Sequence, residues 1–166
     1  MIFIYDVDDP EDVAHVRQLA WEFIDWLRER YPEQLDTINH YLNTQNFAAQ
    51  LEDLLTYFGP PHGTCLLAKE DGVPLGIVML KPREPGVCEM NRMYVRHRAR
   101  RRGIGMALAS RLIERARGIG YEEMVLSTLD RHIEALPLYE KLGFEIEHRA
   151  PDSGDAEHEI CMRLRL

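Results

Sequence analysis

A strand-like segment, a loop rich in arginine and glycine, and a helical segment follow one another in the middle of this chain. Residues 90–95 are largely apolar, residues 100–105 are Arg-Arg-Arg-Gly-Ile-Gly, and residues 106–117 carry apolar side chains at helical spacing. A helix that begins directly after such a loop presents unpaired backbone N–H groups and the positive end of its dipole. Because glycine lets an anion approach the backbone closely, the junction predicts a site for a phosphorylated ligand.

The positive charge of the chain is concentrated around this junction. The 166 residues carry a formal net charge of −8, yet residues 92–117 contain nine arginines and one acid, Glu114. One dense cluster suits a polyanionic small molecule, whereas nucleic-acid binding usually needs a broad basic surface or interleaved aromatic residues, of which only Tyr94 is close. We therefore expect a small-molecule ligand and no nucleic acid. A solvated, arginine-rich helix face is the structural alternative.

Length, hydropathy and cysteine content place further bounds on the protein. The length is typical of one domain, and no apolar stretch approaches the roughly 20 residues needed to span a bilayer. The first residues lack the basic region of a secretory signal. Neither the seven histidines nor Cys65, Cys88 and Cys161 show metal-ligand spacing. We expect a cytoplasmic protein with buried, reduced thiols, no membrane segment and no metal ion.

Two helical regions are predicted in the N-terminal third of the chain. Asp9 and Pro10 are typical of a helix cap and first residue, and apolar residues at spacings of three and four continue to Leu27. A second region covers residues 35–58, with a break expected near residues 43–46 and an end at Gly59. We expect helices from these regions to cover a sheet.

The rest of the chain predicts a mixed sheet. Strand patterns at residues 64–68, 75–80 and 87–95 are separated by short glycine turns, the first of them Asp71-Gly72, which favour antiparallel pairing. The helix that follows residue 105 implies a crossover, and hence parallel pairing of residues 87–95 with residues 124–129. A short helix near residues 133–142 and strands at residues 144–148 and 160–166 complete the pattern. The predicted fold class is α+β, with a mixed, mostly antiparallel central sheet flanked by helices.

Three of these segments together resemble the GNAT superfamily of acyl-CoA-dependent N-acyltransferases. Residues 88–95 resemble its central strand, the loop from Arg100 to Gly105 its pyrophosphate loop, and residues 135–144 its later helix-to-strand signature. The resemblance covers about residues 64–147, and the three segments occur in the family's order. A dinucleotide-binding loop is the rival interpretation, but the third glycine or alanine of that motif is missing after Gly105.

The resemblance implies a single N-acetyltransferase domain over residues 1–166. Residues 1–62 would form a helical region on the substrate side, residues 64–147 the acetyl-CoA-binding core, and residues 157–166 a terminal strand. The family's parallel strand pair is splayed at the cofactor site, where the pantetheine arm of the cofactor inserts. The implied activity is transfer of an acetyl group from acetyl-CoA to a primary amine of a small molecule or peptide, in a ternary complex. Dimers are common among such proteins, so the resemblance is also compatible with a homodimer.

The resemblance also implies a set of cofactor-binding residues. The backbone N–H groups of residues 101–106 would bind the pyrophosphate, with arginine side chains free to contact phosphates. Main-chain groups beside the splay would bind the pantetheine arm, and His132 stands where many relatives have an asparagine. The implied set comprises Met93, Tyr94, Val95, Arg100, Arg101, Arg102, Gly103, Ile104, Gly105, Met106 and His132.

Two residues are candidates for proton transfer. Tyr139 occupies the position of the family's frequent tyrosine general acid, and Glu89 lies on the central strand, where some relatives place a glutamate base. Tyr139 as a packing residue and Glu89 as an ordinary exposed strand acid are the structural alternatives. Pro137 lies in the same predicted helix as Tyr139 and is compatible with its first turn only. At the level of function, the alternative is a non-catalytic acyl-CoA-binding module that regulates a partner.

Overall fold

The described residues form one seven-stranded sheet with helices on both faces. The structure, a computed structural model, describes residues 1–44, 46–129, 135–149 and 159–166. The strand order is β1-β2-β3-β4-β5-β7-β6. Two single 3-10 turns at Pro32–Gln34 and His97–Ala99 link longer elements. In chain order, the elements are β1 (Ile2–Asp6), α1 (Pro10–Arg30), α2 (Leu35–Thr44), α3 (Phe47–Glu52), α4 (Leu54–Phe58), β2 (Thr64–Glu70), β3 (Val73–Glu84), β4 (Val87–Val95), α5 (Ile104–Ile119), β5 (Glu123–Leu129), α6 (Leu136–Lys141), β6 (Glu145–Arg149) and β7 (Glu159–Arg165).

The sheet is mixed and mostly antiparallel. Among the strands that the structure describes, β4 and β5 form the one parallel pair, and the other five pairs are antiparallel. The crossover through α5 makes this pairing possible because a helix returns the chain to the edge at which β4 began. The predicted α+β fold class, with its parallel pair at the strand-loop-helix junction, is confirmed.

The two faces of the sheet carry separate apolar clusters. We call the side covered by α1 to α4 the α1 face and the side covered by α5 and α6 the α5 face. Helix α1 begins as predicted, since Asp9 Oδ1 accepts a hydrogen bond from Asp12 N–H at 2.8 Å. The predicted break in the second helical region separates α2 from α3, where Asn46 has a left-handed backbone with φ 51°. Both N-terminal helical regions therefore form one layer.

Strand β1 is a feature that the sequence patterns did not reveal. It pairs antiparallel with β2 and forms an edge of the sheet, with Ile2 opposite Glu70 and Asp6 opposite Leu66. Asp6 also accepts hydrogen bonds from Arg115 on α5, the shortest at 2.6 Å. The short apolar run at residues 2–5 is compatible with a strand, but its partners lie far along the chain, so the local sequence does not place it in the sheet. The N-terminal region is thus helical except for one strand that belongs to the central sheet.

Strand β4 contains a bulge just before it leaves its parallel neighbour. Met79 of β3 lies opposite Asn91 and Ile77 lies opposite Tyr94, so two residues of β4 share the space opposite Val78. At this point Arg92 has φ 52°, a conformation that is uncommon outside glycine. The register with β5 runs only from Val87–Glu123 to Glu89–Val125. Beyond residue 89 the two strands separate, as expected for the splayed pair.

The C-terminal strand β7 lies between β5 and β6. Its residues Ile160, Met162 and Leu164 are buried, in agreement with the predicted alternation along residues 160–166. This insertion moves β6 to the edge of the sheet, where Ile146 is half exposed. The hairpin between β2 and β3 turns at Asp71 and Gly72 with φ 51° and 78°, as the dipeptide predicts.

Candidate functional site

The N-terminus of α5 presents a row of backbone N–H groups without a protein acceptor. In the described part of the chain, the first helical bond runs from Ala107 N–H to Gly103 C=O at 3.0 Å. Gly103 is the N-cap and makes no side-chain capping bond. Residues 101–106 therefore retain six backbone N–H groups that no described oxygen of the protein accepts. Such a row can bind several oxygens of one anion.

The two long helices differ at their N-termini in a way that favours an anion at α5. Helix α1 has a capping aspartate, and Glu11 and Asp12 occupy its first turn. Helix α5 has neither a side-chain cap nor an acid in its first turn. The positive end of a helix dipole is stabilised by negative charge. In α1 the protein itself supplies this charge, whereas the first turn of α5 has no such group, a difference that favours an anion there.

Backbone conformation and close packing explain the glycines of the loop. Gly103 has φ 77°, and a Cβ placed there would meet no heavy atom within 4 Å, so the residue is required for its conformation rather than for lack of space. A Cβ on Gly105 would lie 3.2 Å from Leu138 Cδ1 and 3.8 Å from Val95 Cγ2. Gly105 thus lets the start of α5, the end of β4 and α6 meet. Together with left-handed backbone at Arg101, φ 64°, these residues fit a diphosphate group.

The arginine side chains of the loop differ in the partners that they have within the protein. Arg102 donates two hydrogen bonds to the Glu70 carboxylate, at 2.9 and 2.8 Å. Arg100 donates from Nε to Val95 C=O at 3.0 Å, and its guanidinium lies 4.7 Å from the centroid of the Trp26 ring. Arg101 is exposed and has no side-chain partner among the described residues. Of the three predicted contacts, Arg101 is thus the side chain without a partner among the described residues, while Arg100 and Arg102 would have to exchange a protein partner for a phosphate.

Main-chain groups near the end of β4 point into the splay. Arg96 N–H donates to Leu75 C=O on β3 at 2.9 Å. Because backbone direction alternates along a strand, the N–H groups of Met93 and Val95 point the other way, toward β5. The parallel ladder has ended at Glu89, so β5 supplies no partner for them. The side chains of Met93 and Val95 pack on the α5 face.

Tyr94, Ile104 and Met106 complete the predicted set of described cofactor residues. The Tyr94 side chain is buried on the α1 face, 5.6 Å from the Phe23 ring centroid. Ile104 is buried on the α5 face, and Met106 is half-buried at the start of α5. The side chains of Tyr94 and Ile104 thus serve the packing of the fold, and the row of N–H groups includes the backbone of Ile104 and Met106. His132 lies outside the described residues.

Glu89 lies on β4 at the last parallel pair before the splay. Its neighbours Cys88 and Met90 belong to the cluster on the α5 face, so alternation places the Glu89 side chain on the α1 face. Lys81 is directly opposite on β3, and its ammonium lies 3.7 Å from Glu89 Oε2. The Glu89 side chain is only 13% exposed. This partly enclosed, cation-paired carboxylate differs from the ordinary exposed acid that was the alternative.

Tyr139 is buried on the α5 face of the sheet, opposite the face on which the Glu89 side chain lies. The residue is 6% exposed, packs in the α5-face cluster and lies 6.0 Å, ring to ring, from Phe144. Its hydroxyl has no hydrogen-bond partner in the described parts of the protein, and burial raises the pKa of the phenol. The hydroxyl therefore stays protonated over the ordinary pH range. Pro137 lies in the first turn of α6, so the helix that carries Tyr139 forms despite it.

Sequence reasoning missed a polar cluster on the α1 face of the bulge. Arg92, Asn91 and Gln50 are all at least nine-tenths buried, and Tyr41 O–H donates to Asn91 Oδ1 at 3.4 Å. The available signal in the sequence is the pair Asn91 and Arg92 in the middle of a mostly apolar strand, but position in sequence groups Arg92 with the arginines of the loop. Only the bulge shows that it faces away from them.

Membrane-spanning helices and metal-ligand clusters are both absent from the described residues. None of the helices there is long and apolar enough to cross a membrane. No group of three or more histidine, cysteine, aspartate or glutamate side chains in those ranges is arranged to hold a metal ion. The three cysteines are free thiols; Cys65 and Cys88 are buried, and Cys161 is partly exposed.

Comparison with known proteins places this architecture in a family. A sequence model of the Acetyltransferase (GNAT) family matches residues 20–144. An uncharacterized N-acetyltransferase of Schizosaccharomyces pombe is 38% identical over 146 residues, which are 87% of this chain and 83% of that protein. The N-acetylaspartate synthetase of Rattus norvegicus is 34% identical over 68% of this chain, though the match spans only 41% of that longer protein.

Solved structures agree with the fold. The PaiA N-acetyltransferase of Thermoplasma acidophilum, solved in complex with coenzyme A, superposes with a TM-score of 0.72 at 18% identity and covers 100% of this chain and 99% of its own. A GNAT-family acetyltransferase of Staphylococcus aureus gives a TM-score of 0.73, also at 18% identity, over 99% of both chains. The unpaired N–H row, the splayed strands and these sequence matches lead to one conclusion: the chain belongs to the GNAT family of acetyltransferases, enzymes whose acyl donor is acetyl-CoA.

Proposed function

We propose that this protein transfers an acetyl group from acetyl-CoA to a primary amine of a small molecule, by direct attack in a ternary complex. The observation that supports this most strongly is the row of six unpaired backbone N–H groups at α5, beside strands that separate after Glu89. In a family of acetyltransferases, the N–H groups are suited to bind the diphosphate of acetyl-CoA. The gap between the two strands is suited to its extended pantetheine arm. The relatives named N-acetylaspartate synthetase support a small amine-bearing molecule as acceptor.

The chain's own residues have distinct roles in holding the cofactor. When bound, acetyl-CoA supplies the thioester that an amine can attack. The N–H groups of residues 101–106 bind the diphosphate, and Arg101 adds a charge-assisted hydrogen bond. The N–H groups of Met93 and Val95 bind the pantetheine arm in the splay, as a neighbouring strand would. His132 and the side chains of Arg100 and Arg102 remain predicted contacts.

Glu89 is the proposed general base. An ammonium ion cannot attack a carbonyl carbon, so the acceptor must lose one proton before or during attack. The Glu89 carboxylate accepts this proton directly or through one water. Lys81, 3.7 Å away, holds the carboxylate in place on the α1 face, from which the acceptor enters.

Tyr139 is the proposed proton donor. The departing thiolate must gain a proton or a strong hydrogen bond, and a buried phenol with a raised pKa is protonated when it is needed. Since Glu89 faces α1 and Tyr139 lies in the α5-face cluster, the proton acceptor and the proton donor stand on opposite sides of β4. Glu89 can therefore take a proton from the acceptor amine while Tyr139 donates one to the departing thiolate.

The test combines cofactor binding with a screen for thiol release. We expect acetyl-CoA to raise the melting temperature, because a ligand of the native state stabilises it. A library of primary amines should contain members that cause release of free thiol in proportion to acetylated product. Absence of any thermal shift at millimolar acetyl-CoA would contradict the cofactor site. A thermal shift without acetylation of any amine would favour the non-catalytic binding module instead.

A further inference from the structure

The most buried arginine of the chain's described residues has no acidic partner. Arg92 is 5% exposed. One terminal nitrogen donates to Gln50 Oε1 at 2.6 Å, the other lies 3.8 Å from the sulfur of Met79, and Nε has no acceptor. No described carboxylate approaches the guanidinium within 4 Å. Its hydrogen-bond capacity and its charge are therefore both incompletely satisfied.

The surroundings of this guanidinium are unusual for a buried cation. The rings of Phe47 and Phe58 lie 4.4 and 5.0 Å from its central carbon and supply cation–π attraction. Such contacts offset only part of the cost of burying a charge, which normally requires an anion. Elsewhere in the chain, Arg96 and Arg102 each have a carboxylate partner, Glu22 and Glu70. Arg92 lacks one although acids outnumber bases, 28 to 20.

The bulge places this cation on the side of the sheet where the acceptor is expected. Asn91 and Arg92 are consecutive, yet Asn91 meets Tyr41 of α2 and Arg92 meets Phe47 of α3, so both face the α1 layer. Alternation places Glu89 on this same face. A strand rises by about 3.3 Å per residue, so the proposed base and the unpaired cation lie within the length of one small molecule.

We propose that the acceptor amine also carries a carboxylate, and that Arg92 is the group that binds it. The inference rests on the proposed acetyl transfer and adds the substrate class: small amino acids rather than simple amines or polyamines. The Gln50 amide oxygen holds the place of the ligand carboxylate in the free protein. A carboxylate would replace this neutral acceptor with a charged one and bring charge compensation to the buried cation.

The test uses amines in matched pairs, each amino acid beside the amine that lacks its carboxylate: phenylalanine with phenethylamine, and lysine with cadaverine. Thermal shifts are measured with coenzyme A present, and thiol release is measured with acetyl-CoA. We expect the wild-type protein to bind at least one amino acid about tenfold or more tightly than its partner amine. The preferred amino acid should also have the higher kcat/KM.

Gln50→Glu is the decisive variant. It places a carboxylate of the protein beside Arg92, so it should raise the melting temperature and abolish the preference for the amino acid over its partner amine. Gln50→Met is the matched control, because it removes the neutral acceptor without adding charge and should retain the preference. If Arg92 has only a structural role, Gln50→Glu should still raise the melting temperature, but the preference for the amino acid over its partner amine should not change.

The outcomes separate this inference from the proposed function. Equal use of both members of every pair, or a preference that survives Gln50→Glu, overturns the carboxylate site while leaving acetyl transfer intact. A preference in binding that Gln50→Glu abolishes, with no thiol release from any amine, supports the carboxylate site and overturns acetyl transfer. Arg92→Met, if it folds, should lose the preference as Gln50→Glu does.

Discussion

At the scale of single residues, burial without a hydrogen-bond partner has different consequences for different side chains. It can keep a group protonated for catalysis, or it can lower the stability of the fold. Tyr139 and Gln34 are both buried, and neither side chain has a hydrogen-bond partner among the described residues. For Tyr139 the consequence is a phenol that keeps its proton within the α5-face cluster. For Gln34, in the turn between α1 and α2, both amide atoms lose their contact with water and gain nothing in return.

Replacement of Tyr139 by phenylalanine tests its role as proton donor. The change removes one oxygen and keeps the ring contact with Phe144, so the fold should persist. We expect kcat to fall by about 10²-fold or more, with the affinity for acetyl-CoA nearly unchanged. Steady-state kinetics and cofactor thermal shifts measure the two quantities. An unchanged kcat would show that Tyr139 is a packing residue.

Gln34→Met should stabilise the protein. Methionine has a similar length and no polar atoms, so the variant no longer buries an unsatisfied amide. We expect the free energy of unfolding in urea to rise by about 1 kcal/mol. Gln18→Met, at an exposed position of α1, is the control and should change it little. A loss of stability in Gln34→Met would indicate that the amide has a partner in the folded protein.

At the scale of elements, the start of α5 joins the anion site to the proposed catalytic helix. The loop from Arg100 to Gly105 was predicted from its sequence because the glycines and the helix pattern are local. The contact of Gly105 with Leu138, next to Tyr139, is a product of packing between α5 and α6. The ion pair between Arg102 and Glu70 likewise depends on β2, because Glu70 lies 32 residues away in sequence. Composition alone therefore could not reveal it.

Gly105→Glu tests whether the N-terminus of α5 binds the cofactor. The new side chain would bring a negative charge to the unpaired N–H groups and crowd Leu138 and Val95. We expect the thermal shift by acetyl-CoA to disappear. The matched control is Gly118→Glu near the other end of the same helix, where a Cβ would meet nothing within 4 Å. A normal thermal shift in Gly105→Glu would contradict the site.

At the scale of the whole molecule, ion pairs connect elements that are remote in sequence. Asp12, in the first turn of α1, accepts from Lys69 of β2 and Tyr5 of β1, and His15 lies 3.5 Å away. Burial by itself would raise the pKa of Asp12, but hydrogen bonds from Lys69 and Tyr5 prevail, so the pKa is lowered. The same contacts raise the pKa of Lys69. These hydrogen bonds and ion pairs connect helix α1 to strands β1 and β2 at the edge of the sheet.

The stability contributed by Asp12 should depend on pH. A carboxylate whose pKa is lower in the folded state stabilises the protein above its unfolded pKa of about 3.9, and the contribution is lost as the pH falls through the folded value. Asp12→Asn should therefore lower the free energy of unfolding by about 1–3 kcal/mol at pH 7 and by much less at pH 3. Urea unfolding at both values measures this. Asp25→Asn, exposed on α1, is the control; an equal loss for Asp12→Asn at both pH values would exclude the ionic contribution.

The sequence by itself determined most of the helices and strands, the glycine junction at which α5 begins, and the family. These follow from short-range signals: the cap at Asp9, the hairpin at Asp71-Gly72, the apolar periods and the glycines that open α5. Only the tertiary structure decided how distant segments meet. It added β1 to the edge of the sheet, inserted β7 between β5 and β6, and ended the β4–β5 ladder at Glu89. It also turned Arg92 away from the phosphate loop, because a bulge reverses the alternation on which sequence patterns rely.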